Sequence, residues 1–137
     1  MTNNLEKWTV LVARLFLSAI FIKSGIDKIF NPESTQQYME SMGVPGLLLI
    51  PTIIVLLVGG ISVLVGYKAR YGALLLIGFL IPTTLIFHTN FAESSQQIAF
   101  LKNLGLMGGL LMVAVFGPGS LSFDHRILST APTQLKD

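Results

Sequence analysis

Residues 41–67 read SMGVPGLLLIPTIIVLLVGGISVLVGY, a stretch without one charged side chain. A helix needs about 20 predominantly apolar residues to cross a hydrocarbon core, so this stretch is long enough to span a bilayer. Two further uncharged stretches follow at residues 71–92 and 103–123. A fourth apolar stretch precedes them at residues 8–30, interrupted by Arg14, Lys23, Asp27 and Lys28. Four crossings occupy most of the 137 residues. The pattern predicts an all-α integral membrane four-helix bundle, a single transmembrane domain over residues 1–137.

Composition points the same way. Charged residues make up 12% of the chain, against roughly 25% in soluble domains, and the mean hydropathy is +0.70. A soluble bundle of this length would need polar faces on its helices, and residues 47–65 and 104–116 have almost none. The net charge of +2 comes from residues near helix ends, so it reports membrane topology and excludes a nucleic-acid partner. Cysteine is absent, which excludes disulfides, thiol redox chemistry and thiolate metal sites. The first apolar stretch does not read as a cleaved signal peptide, because Arg14 interrupts it and no small-x-small cleavage site follows.

Helices are expected at about residues 8–30, 46–66, 71–87 and 98–116, with an outer interfacial helix at about 33–42. Asn31-Pro32 supplies a cap and a first-turn proline for the last of these, and Gly43 stands where it would stop. Its Tyr38, Met39 and Met42 share one face, which turns to lipid or to the bundle. Four crossings put both termini on one side. That side then holds Lys7, Lys68, Arg70, Arg126 and Lys136, against Lys28 and Lys102 near the other, so the positive-inside rule makes the termini cytoplasmic. The expected location is the bacterial cytoplasmic (inner) membrane, as a multi-pass protein.

Packing signals accompany the spans. Gly105 and Gly109 form a GxxxG pair, and Gly59, Ser62 and Gly66 form a small-residue stripe, both suited to close helix approach. Pro82 interrupts the third span, where Thr83 and Thr84 offer hydroxyls to backbone groups the proline frees. Residues 33–37, ESTQQ, are echoed sixty positions on by residues 93–97, ESSQQ.

The intramembrane polar residues gather by depth. With this topology Lys23 and Asp27, one turn apart, lie near the outer end of the first span. His88 and Asn90 close the third span, and Lys102 and Asn103 begin the fourth. Charged groups at membrane depth turn inward, pair or line a wet cavity, so these six residues form the candidate ligand-binding pocket. Paired snorkelling residues are the plain alternative. Arg14 lies toward the cytoplasmic end, where it snorkels to headgroups, meets a helix-end carbonyl or binds an acidic lipid. No metal site is expected, since His88 and His125 fall at opposite faces and no acidic cluster accompanies them. With no intrinsic cofactor, redox chemistry would require a diffusible carrier such as a quinone, which His88 and Lys102 are chemically able to hydrogen-bond.

Beyond these residue-level readings, the chain resembles the DoxX family of small four-helix bacterial membrane proteins. The resemblance rests on Ala13-Arg14-Leu15, Ser24-Gly25-Ile26-Asp27-Lys28, Met42-Gly43-Val44-Pro45-Gly46 and Gly59-Gly60. It continues through Phe87-His88-Thr89-Asn90-Phe91, Phe100-Leu101-Lys102-Asn103-Leu104, Gly108-Gly109 and Gly117-Pro118-Gly119. It implies an accessory or quinone-interacting subunit of a redox or oxidative-stress membrane assembly. Many members carry a glutamate just before the paired glycines, where this chain has Leu56. The other functional expectations are a small-molecule binding or transport protein using the same pocket, and a structural subunit. The lipid bilayer, a membrane redox partner or a second copy of the chain are the expected partners.

Overall fold

The computed structural model describes residues 3–130; Lys136, counted above for topology, lies outside them. It contains helices α1 (Asn4–Phe30), α2 (Pro32–Ser41), α3 (Leu49–Val65), α4 (Ala69–Phe87), α5 (Ser94–Phe116) and α6 (Phe123–Thr130), with a single 3-10 turn at Gly46–Leu48 leading into α3. Four of these elements, α1, α3 with its leading turn, α4 and α5, are long and apolar enough to cross a membrane. Even α4, with 19 residues, rises about 28 Å, close to the hydrocarbon thickness. α1 begins at Asn4, where Asn3 accepts the Glu6 N–H through its side chain at 2.8 Å. That cap extends the helix ahead of the apolar stretch.

The spans pack in chain order. α1 lies on α3, α3 on α4 and α4 on α5, whereas α1 and α5 barely meet. The paired glycines of α3 serve two neighbours at once. A Cβ on Gly59 would lie 2.6 Å from Leu76 Cγ of α4, and one on Gly60 would lie 2.9 Å from Ile22 Cγ1 of α1. Adjacent positions point about 100° apart on a helix, so two consecutive glycines let α3 sit tightly between two partners. Phe21, Leu56, Leu76, Leu80 and Leu110 are the larger members of the core. Most other large apolar side chains are exposed and form the lipid-facing band.

The predicted GxxxG pair divides. Gly109 meets Leu17 of α1, where an added Cβ would lie 3.2 Å from Leu17 Cδ1, but Gly105 has nothing near it. Only one of the two glycines therefore serves a helix contact within the described residues. Helix α4 runs unbroken through Pro82, and Thr83 Oγ1 donates to Phe79 O at 2.7 Å one turn back.

The end of the bundle holding α6 is locked by polar contacts. Arg14 is 3% exposed. Its Nε donates to Val63 O at 3.0 Å, Nη2 to Leu64 O at 2.9 Å, and Nη1 to Pro118 O at 2.6 Å and Leu121 O at 2.9 Å. Of the three fates expected for Arg14, the contact with helix-end carbonyls is the one seen, in place of snorkelling to headgroups. The last carbonyls of α3 have no partner in their own helix, and a five-donor planar guanidinium satisfies them together with the loop after α5. Asp124 of α6 adds a second tie, accepting the N–H groups of Lys68 at 2.7 Å and Ala69 at 3.0 Å at the start of α4. Between them Gly66 turns with φ +74°, a left-handed conformation that glycine adopts without steric cost.

Candidate functional site

The opposite end, which carries α2, is open. Where α1 and α5 separate, α1 to α5 line a cavity of about 660 Å³, within the range of small-molecule sites. Its wall changes character with depth. Ile20, Phe21, Leu56, Phe79, Leu80 and Leu106 line it furthest from the α2 end, and Lys28, Ser34, Thr35, His88 and Lys102 line it nearest that end. From Ile20 to Lys28 the gradient spans about 12 Å of helix.

The α1 side of the wall follows from helical periodicity. Ser24 and Lys28 are one turn apart on the cavity face, and Lys28 Nζ donates to Ser24 Oγ at 3.0 Å. Lys23 and Asp27 precede them by one position each and point about 100° away. They form an ion pair at 2.8 Å, with side chains 76% and 56% exposed, outside the cavity. The six residues grouped from sequence are thus divided: His88, Lys102 and Asn103 share the cavity, while Lys23, Asp27 and Asn90 do not line it. Asn90 is exposed in the loop between α4 and α5.

Each remaining member is held differently. His88 closes α4, and its Nδ1 lies 3.0 Å from Gln96 Oε1 of α5. Asn103 Nδ2 donates to Thr84 Oγ1 at 3.0 Å, with both residues buried. This bond fastens α5 to α4 beside the cavity. Lys102 lines the mouth with no ion pair among the described residues.

Helix α2 lines the α2 end of the cavity. Ser34, Thr35, Tyr38 and Met39 face it, and the Tyr38 ring stacks on Phe87 of α4 with centroids 5.4 Å apart. Gln36 Nε2 donates to Gly46 O at 3.3 Å, tying the helix to the turn before α3. Leu56, 2% exposed, occupies the deep wall where the family resemblance led one to look for a carboxylate. Sequence reading missed Lys28, counted there only as a topological charge, and Thr35, and left Tyr38 on a face turned to lipid or to the bundle. The signal for Lys28 was its one-turn spacing from Ser24 and its quarter-turn offset from the Lys23–Asp27 pair.

Together these features define a multi-pass helical membrane protein with a cavity toward one end of its bundle. The chain belongs to the DoxX family, whose profile matches residues 9–89, from α1 to the end of α4. It is 45% identical to the inner membrane protein YqjF of Escherichia coli K12 over 125 residues, covering 91% of this chain and 96% of that one. A second Escherichia coli relative, the inner membrane protein YphA, is 34% identical over 85% of this chain and 89% of its own length. The yeast ER-derived vesicles protein ERV29 is 30% identical over 81 residues, 55% of this chain and 26% of that protein. No solved structure matches significantly. The chain is accordingly a multi-pass protein of the inner membrane, and its cavity residues Lys102 and Asn103 lie beyond the family-matched region.

Proposed function

We propose that this protein binds a membrane-dissolved molecule with an apolar body and an oxygen-bearing head, as an accessory subunit of a quinone-linked or oxidative-stress redox assembly. The supporting observation is the polarity gradient of the cavity. Its apolar depth and polar mouth match the way an amphiphile lies in a leaflet, and we read the sparse contact between α1 and α5 as its route in from the bilayer. A quinone fits this arrangement: Lys102 is a donor for a ring carbonyl, and Phe21, Phe79 and Phe87 offer aromatic surface. The chain itself supplies no electron-transfer group, so its part is to hold, present or protect the carrier for a partner.

The test is to purify the protein in mild detergent, extract and identify the lipophilic molecules it retains, and repeat with His88→Ala and Lys102→Ala. A quinone retained by the parent and lost from both variants supports the reading. A different small molecule lost from both moves the protein to a binding or transport role in the same cavity. No retained molecule in any form, together with a stable co-purifying subunit, leaves a structural role.

A further inference from the structure

The charge of the cavity mouth narrows the class of ligand, given the binding role proposed above. Two lysines line it, Lys28 from α1 and Lys102 from α5, two helices that touch each other little. No aspartate or glutamate is among the lining residues. Asp27, the carboxylate next in sequence to Lys28, is held by Lys23 on another face of α1. Glu40 of α2 is turned toward Gly46, where its Oε1 would lie 2.7 Å from a Cβ on that glycine. Lys28 hydrogen-bonds only the neutral Ser24 hydroxyl, and neither lysine has a carboxylate partner among the described residues.

Two ammonium groups lining one cavity, Lys28 with the charge of neighbouring Asp27 acting on it and neither lysine in an ion pair among the described residues, favour an anion between them, because each offers three donors. We infer that the mouth is an anion site, and that the cavity selects amphiphiles with an acidic head, carboxylate or phosphate, over neutral or cationic ones of equal length. The apolar wall beneath takes the chain. Lys28 and Lys102 hold the head from opposite sides, as the charge-assisted hydrogen bonds of a carboxylate or phosphate allow.

Native mass spectrometry of the intact protein released from non-ionic detergent tests this, with decanoate, decanol and a decyl-substituted benzoquinone as probes. Decanoate is expected to bind about tenfold more tightly than decanol. Lys28→Gln and Lys102→Gln should each remove most of that preference while leaving decanol binding unchanged, and Lys7→Gln, at the other end of the bundle, should leave the preference intact. Circular dichroism of every variant confirms that the helices persist. Equal binding of decanoate and decanol, or a preference that survives both lysine substitutions, overturns the anion site but leaves the cavity as a lipophile site. Binding of the benzoquinone with no decanoate binding also overturns the anion site and favours the quinone reading. Failure of all three probes to bind overturns both this inference and the binding role beneath it. Parallel titrations with decanoate and decyl phosphate then separate the two acidic heads.

Discussion

The two ends of this bundle use similar side chains for opposite purposes. At the α6 end the cation Arg14 is fully engaged by four backbone carbonyls, and the Asp124 carboxylate takes two backbone N–H groups. At the α2 end Lys28 and Lys102 reach a cavity with no carboxylate in its wall. The difference lies in backbone geometry. Where α3 ends, carbonyls without helical partners sit beside α1 and the loop after α5, and a buried guanidinium closes them off. At the cavity neither lysine donates to a backbone carbonyl among the described residues, and Lys28 bonds the Ser24 hydroxyl instead. One end therefore fixes the bundle, and the other remains available for chemistry.

Substitutions should break this contrast unequally. Arg14→Ala removes the donors for four carbonyls and is expected to have the largest effect, a loss of about 3–5 kcal/mol, seen as a large drop in thermal stability in detergent. Arg14→Lys should restore only part of it, since a compact ammonium cannot reproduce the planar fork. Asp124→Ala removes the cap on α4 and should lower stability by about 1–2 kcal/mol, with faster hydrogen exchange at Lys68 and Ala69 as its local signature. Asn103→Ala lies on the boundary between the two behaviours. It loses the bond to Thr84 and should cost about 1 kcal/mol, together with a measurable loosening of α5 from α4 in cysteine crosslinking across that contact. His88→Ala and Lys102→Ala should change stability by less than about 0.5 kcal/mol while altering what the purified protein retains. A stability loss from Lys102→Ala as large as that from Arg14→Ala would erase the distinction between a structural end and a binding end.

Several features were legible before any coordinates. The uncharged stretches marked the spans, because hydrocarbon tolerates neither unpaired backbone nor frequent charge. Pairing Asn31-Pro32 with Gly43 pointed to a short extra helix after the first span, and α2 forms there. His88, Lys102 and Asn103, grouped by depth, line one cavity, since depth follows from counting along a helix. Depth does not specify azimuth, and this is why Lys23 and Asp27 were grouped with them although they face elsewhere. It is also why Lys28, one position from Asp27, was passed over.

Other features have no linear signature. The carbonyls that hold Arg14 come from Val63, Leu64, Pro118 and Leu121, residues without polar side chains that come together only when α1, α3 and the α5–α6 loop are packed. Gly105 and Gly109 are equivalent as a sequence motif, yet only Gly109 meets a neighbouring helix.

By itself the sequence determined that the chain crosses the membrane as four helices, because hydrophobic length is a local property that needs no partner to express it. Tertiary structure decided which cations became part of the scaffold and which came to face a cavity. Those outcomes depend on which helices touch and which separate, and such distances between remote segments are set only when the whole bundle has packed.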